Sequence, residues 1–128
     1  MTYILLLALT LPVHSFDQFT NALRQVESSG GKSLIGDGGK TIGPLHISLA
    51  AWADAMKGSG LDWPWEDAFD YDKAKYVALL YFWKWCPRAI RGDDWETCAR
   101  VWNGGPRGHR KRSTLKYWRR VREAMQDG

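Results

Sequence analysis

The stretch VESSGGKSLIGDGGKTIGPLHIS, Val26 to Ser48, carries the reading of the fold. Ahead of it Phe16, Phe19, Leu23 and Val26 recur at helical spacing, which predicts a first amphipathic helix of about three turns with those side chains turned inward. Glu27 sits at the edge of that apolar stripe, and Gly30 and Gly31 supply the break just beyond it. Between Gly36 and Thr41 the glycines of GDGGK tolerate left-handed backbone at several positions. A tight turn or small hairpin is therefore expected, with β-like or irregular structure over residues 36 to 47.

The rest of the chain reads as helix. LAAWADAM, Leu49 to Met56, forms the body of a second one, and the turn-rich segment Lys57 to Asp72 reads as a loop. A longer helix is predicted from an Asp72 N-cap to Trp85, with Val77, Leu80, Tyr81 and Lys84 on one stripe and Pro87 marking its end. Another starts at Asp93 or Asp94 and carries Trp95, Cys98, Ala99 and Trp102 on one side until NGGPRG, Asn103 to Gly108, breaks it. The last starts near Ser113 and turns Leu115, Trp118, Val121 and Met125 inward. No repeat, linker or low-complexity tract interrupts residues 16 to 128, which read as one predominantly α domain of α+β type.

Composition narrows the function. A chain of 128 residues is one domain by length. Its eight tryptophans, five tyrosines and four phenylalanines exceed what so small a core needs, which places some rings in a groove. The formal charge is +4, with basic residues bunched in RGHRKRSTLKYWRRVR, Arg107 to Arg122, so anionic partners are favoured. Residues 1 to 15, with an apolar run from Ile4 to Val13, are too short to span a bilayer and read as a signal peptide or an N-terminal apolar anchor. Cys86 and Cys98 fit no metal motif; they are a disulfide if the chain is exported and small buried side chains otherwise. No cofactor or metal is expected.

Two carboxyls carry the chemistry. Glu27, at the wall between core and solvent and near the negative end of a helix, is placed where its neutral, proton-donating form is favoured. Asp37 lies in a polar, solvated turn whose free backbone N–H groups suit an ionised carboxylate. Such a pair supplies the acid and the anion that cleavage of a glycosidic bond requires. Taken singly, Glu27 also reads as an ordinary glutamate in a last turn, and Asp37 as an Asx-turn residue.

The motifs VESSGG, GDGGKTIGPLHIS and ARVWNGGPRG followed by TLKYW resemble, in order and spacing, those of the invertebrate-type lysozymes, the destabilase family, and their bacterial and phage relatives. The resemblance spans Leu23 to about Val121. It implies a lysozyme-like fold, Glu27 as general acid and Asp37 as nucleophile or oxocarbenium stabiliser, and peptidoglycan glycan strands as substrate, cut between N-acetylmuramic acid and N-acetylglucosamine. Ser28, Gly43, His46, Tyr81, Trp102, Asn103, Gly104 and Tyr117 are the expected substrate-binding residues. His46 stands where the family commonly has glutamine and Trp102 where it has histidine, which counts against the isopeptidase activity of some relatives; the family's many disulfides are missing, so the cleft is expected to be held by packing, with at most one bridge. Retention of configuration is expected by resemblance, although it requires carboxyls roughly 5 Å apart rather than roughly 6.5–9.5 Å.

Further expectations are a secreted or periplasmic monomer, cellular or phage-encoded for lysis, drawn to anionic cell-wall polymers. The ES pair and the NGGP loop also resemble the soluble lytic transglycosylases, which need one acid and yield a 1,6-anhydro product. A non-catalytic cell-wall-binding module is the reading from a different class. Nucleic acid is not expected as a partner, because the basic run lacks a groove-reading motif and its inward residues describe an ordinary amphipathic helix.

Overall fold

The computed structural model describes residues 14–127, so the apolar run from Ile4 to Val13 lies outside the described residues. Helix α1, Phe16–Ser28, begins on Ser15, whose side chain accepts from the Gln18 N–H while Gln18 reaches back to the Ser15 N–H. It ends at Ser28, just ahead of Gly30 and Gly31. The left-handed cap is Ser29, at φ 54, whose N–H donates to the Arg24 and Gln25 carbonyls.

The glycine-rich return builds a three-stranded antiparallel sheet of very short strands: β1 Ile35–Gly36, β2 Thr41–Ile42 and β3 Ile47–Ser48. Gly36 pairs with Thr41 and Thr41 with Ser48, so these three form one row across the sheet. The expected hairpin is present, with a third strand beside it. Ser48 then caps α2, Leu49–Met56.

The segment read as a loop over Lys57 to Asp72 is partly helical. A 3-10 turn spans Trp65–Phe69, and α3, Tyr71–Trp85, starts from Asp70 rather than Asp72; the Asp70 side chain accepts from the Lys73 N–H at 3.1 Å. Two indole N–H groups staple the segment down, Trp52 to the Trp63 carbonyl at 2.8 Å and Trp65 to the Ile47 carbonyl at 2.9 Å. The inward stripe of α3 is Ala74, Val77, Ala78, Tyr81 and Phe82; Leu80 is half-buried, and Lys84 is exposed and paired with Asp54 at 2.6 Å. Pro87 both ends α3 and opens a short α4, Pro87–Arg91, where its missing N–H costs nothing.

Asp94 caps α5, Trp95–Gly104, so Asn103 and Gly104 close a helix rather than belong to a loop. After 3-10 turns at Gly108–Arg110 and Arg112–Thr114 comes α6, Leu115–Asp127. Its buried side chains are Tyr117, Val121 and Met125, while Leu115 and Trp118 are half-buried. The inward face is thus rotated from the expected one, bringing Tyr117 inside. Cys86 and Cys98 are buried free thiols in contact with each other, not a disulfide.

The core gathers Phe19, Leu23, Phe82, Val101 and Val121 from four helices, and Trp95 stacks on Phe19 with centroids 4.7 Å apart. Truncating Phe19 to alanine would cost about 3–5 kcal/mol. Helix α1 packs most extensively against α6. That contact fixes the C-terminal end of α1, and with it Glu27. Among the described residues, no helix is long and apolar enough to cross a membrane.

Candidate active site

Glu27 lies in the last turn of α1, one residue before its end, with its side chain 18% exposed. Burial raises its carboxyl from an ordinary 4.5 to about 7, because the charged form loses hydration there. The Tyr117 hydroxyl, His46 and Arg120 favour the carboxylate and act against the rise, while the negative charge of Asp37 adds to it. Tyr117 is enclosed by protein and interacts with Glu27 without reaching full hydrogen-bond geometry. Its hydroxyl has no other partner, and burial and Glu27 push it well above its usual value.

Asp37 is exposed at the tip of the turn between β1 and β2, in the left-handed region at φ 50. The turn is closed by the Lys40 N–H donating to the Asp37 backbone carbonyl at 3.3 Å, so this N–H serves the main chain rather than the carboxylate. Solvent hydrates the charge instead. Glu27 and Asp37 line one cleft of about 220 Å³, the enclosed acid on one wall and the solvated carboxylate on the other element.

The remaining walls come from every layer of the fold. Thr41, His46, Ile47 and Ser48 arrive from the sheet and its turn, Ala51 from α2, Tyr81 from α3, and Trp102 and Asn103 from the end of α5. The rings of Tyr81 and Trp102 meet edge to face, centroids 5.7 Å apart at 90°. Phe82 backs Trp102 at 5.5 Å. Tyr81 is therefore a nearly buried wall held by its neighbour, and Trp102 is half-buried. Among the described residues, no group of three or more His, Cys, Asp or Glu side chains is disposed to hold a metal ion.

Of the expected binding residues, His46, Tyr81, Trp102 and Asn103 line this cleft and four others do not. Ser28 is fully buried as a local cap, donating to the Arg24 carbonyl and accepting from the Gly31 N–H. Gly43 is buried at φ 83 with its α-carbon against the Ala68 carbonyl, where a side chain has no room. Gly104 ends α5, and its carbonyl accepts from the Lys111 ammonium at 2.7 Å. Tyr117 lies behind Glu27 and does not line the cleft, which corrects the expectation that it binds substrate. Trp52 is 2% exposed and belongs to the core.

Sequence reasoning missed Thr41, Ile47, Ser48 and Ala51. Strand alternation would have flagged Thr41 and Ser48 had the register been known, since they share the row that starts at Gly36.

No family model matches the chain. It is 32% identical to a lysozyme of Meretrix lusoria over 90 residues, which cover 67% of this chain and 69% of that protein. The crystal structure of Tapes japonica lysozyme superposes with a TM-score of 0.69 at 27% identity, covering 83% of this chain and 87% of the other.

Proposed function

The chain belongs to the invertebrate-type lysozymes, and from that premise we propose that it cleaves the β-1,4 link between N-acetylmuramic acid and N-acetylglucosamine in peptidoglycan, with Glu27 as general acid and Asp37 as the second carboxylate. The enzyme is a glycoside hydrolase of lysozyme type. The observation that carries the assignment is the opposed environment of two carboxyls in one cleft: burial keeps the Glu27 proton in place up to about pH 7, while Asp37 stands in solvent.

In the proposed reaction Glu27 gives its proton to the glycosidic oxygen as the C1–O bond breaks. Positive charge develops at C1 and the ring oxygen, and the Asp37 carboxylate stabilises or captures it. The Glu27 carboxylate then takes a proton from an incoming water, which restores the acid and delivers hydroxide to C1 with retained configuration. Trp102 and Asn103 support substrate placement: a half-buried indole offers a ring face to a sugar, and an exposed amide can pair with an N-acetyl group.

A peptidoglycan substrate supports a secreted or periplasmic protein, or one encoded by a phage for lysis. The basic outer face of α6, where Lys116, Arg119, Arg120 and Arg122 are exposed, supports attraction to anionic wall polymers. Product mass spectrometry on purified peptidoglycan is the test. Hydrolysis adds one water to each cut; a 1,6-anhydro product would replace this reading with the lytic transglycosylase mechanism, and binding without turnover would leave a wall-binding module.

A further inference from the structure

The imidazole of His46 is clamped between two parts of the cleft wall. Its Nε2 lies 2.6 Å from the Ser33 carbonyl oxygen, a group that only accepts. The neutral ring must therefore carry its proton on Nε2, which leaves Nδ1 as a bare lone pair. That lone pair faces the acid, with Nδ1 4.0 Å from Glu27 Oε2. The backbone supports this pose. His46 is left-handed at φ 48 in a turn closed by its own N–H on the Gly43 carbonyl at 3.1 Å. Opposite it Gly36 leaves the space open; a Cβ there would stand 2.6 Å from Nδ1. Both side chains are largely enclosed, at 14% and 18% exposure, so water has limited access to the gap between them.

Resting on the reading of Glu27 as general acid, we infer that His46 is a second residence for the catalytic proton, a positioning residue that acts on the reaction only through Glu27. For the transfer the 4.0 Å gap first closes to hydrogen-bond distance; the Oε2–H bond of Glu27 then breaks as an Nδ1–H bond forms on His46. A neutral carboxyl and a neutral imidazole become carboxylate and imidazolium, the total charge is unchanged, and the Nε2–H stays on Ser33. Only the form with its proton on Glu27 can protonate a leaving oxygen. Over the pH range in which the pair holds one proton, it is divided between a working and an idle tautomer.

The other groups around the pair bias this division. Asp37, from the glycine turn, favours the proton on Glu27; Tyr117 and Arg120, from α6, favour the Glu27 carboxylate; Tyr81 faces the same cleft from α3. The glutamine common at this position in the resembling family can hold the Ser33 carbonyl but cannot accept a proton.

The experiment compares pH–activity profiles of the wild type, His46→Gln and Glu27→Gln on purified peptidoglycan, with 15N NMR of the histidine rings in the wild type and in Glu27→Gln. Removing the idle tautomer in His46→Gln moves the alkaline limb to higher pH. In the wild type the neutral His46 ring carries its proton on Nε2, and its 15N resonances move in Glu27→Gln. An unmoved alkaline limb, a neutral ring protonated on Nδ1, or His46 15N resonances indifferent to Glu27→Gln overturns the inference. The NMR arms decide the matter if His46→Gln does not fold. Full lysis by Glu27→Gln would instead overturn the assignment of the acid, a result separate from any behaviour of His46.

Discussion

The buried hydroxyl of Tyr117 lies against the carboxyl of Glu27, so the last helix meets the first at this side chain. Tyr117→Phe removes a group that favours the carboxylate, so the Glu27 pKa rises further and the alkaline limb of activity moves to higher pH. Because this hydroxyl has no other partner, stability should change by no more than about 1 kcal/mol. A pH–rate profile and a thermal melt of the one variant check both statements.

Glu27→Gln keeps the size of the side chain and deletes the transferable proton. Lysis should fall by at least about 10²–10⁴-fold, the usual worth of a general acid, with an unchanged circular dichroism spectrum. In the wild type the rate should decline as pH rises through about 7, where Glu27 ionises.

The same carboxyl leaves a mark on stability. The folded state holds the Glu27 proton up to about pH 7, whereas the unfolded chain releases it near 4.5. The folded state thus binds the extra proton between these values, and stability falls as pH rises across that window, by about 3 kcal/mol in all for a shift of this size. Urea titrations at pH 4 and pH 8 should show this slope in the wild type and lose it in Glu27→Gln, which becomes the more stable protein at pH 8.

Asp37→Asn removes the charge that would stabilise an oxocarbenium ion while leaving the turn, since asparagine also accepts left-handed backbone. Turnover should drop by roughly 10²–10³-fold, with little loss of stability. Near-complete retention of lysis would point to a mechanism with a single acid.

Gly43→Ala tests the support of the sheet. The position is at φ 83 with the Ala68 carbonyl directly against it, so a methyl group must push β2 away from the 3-10 turn at Trp65–Phe69. Destabilisation of about 1–3 kcal/mol or more is expected in a denaturant titration, with activity lost in step because His46 sits on the same turn.

The helices were legible because each carries its own local instructions. Phe19 and Leu23 repeat at the helical period, and Asp94 and Ser48 are short polar side chains able to cap the helices that follow. The two carboxyls of the cleft were legible for a related reason: a glutamate at the end of an apolar stripe and an aspartate between glycines have environments set by their near neighbours. The start of α3 was misplaced because Asp70 and Asp72 are equally good caps, and only the packing of the 3-10 turn ahead of them chooses Asp70.

By itself, then, the sequence determined a helical domain with a glycine-rich return and two carboxyls of opposed character, since periodicity, caps and turn residues act over a few positions of chain. Tertiary structure alone decided which face of α6 turns inward, that Tyr117 stands behind Glu27 rather than in the cleft lining, and that His46 Nδ1 faces the Glu27 carboxyl. Those relations join residues 19 to 90 positions apart, and no local propensity can specify them. They follow from how α1, the sheet turn and α6 close on one another when the core is buried.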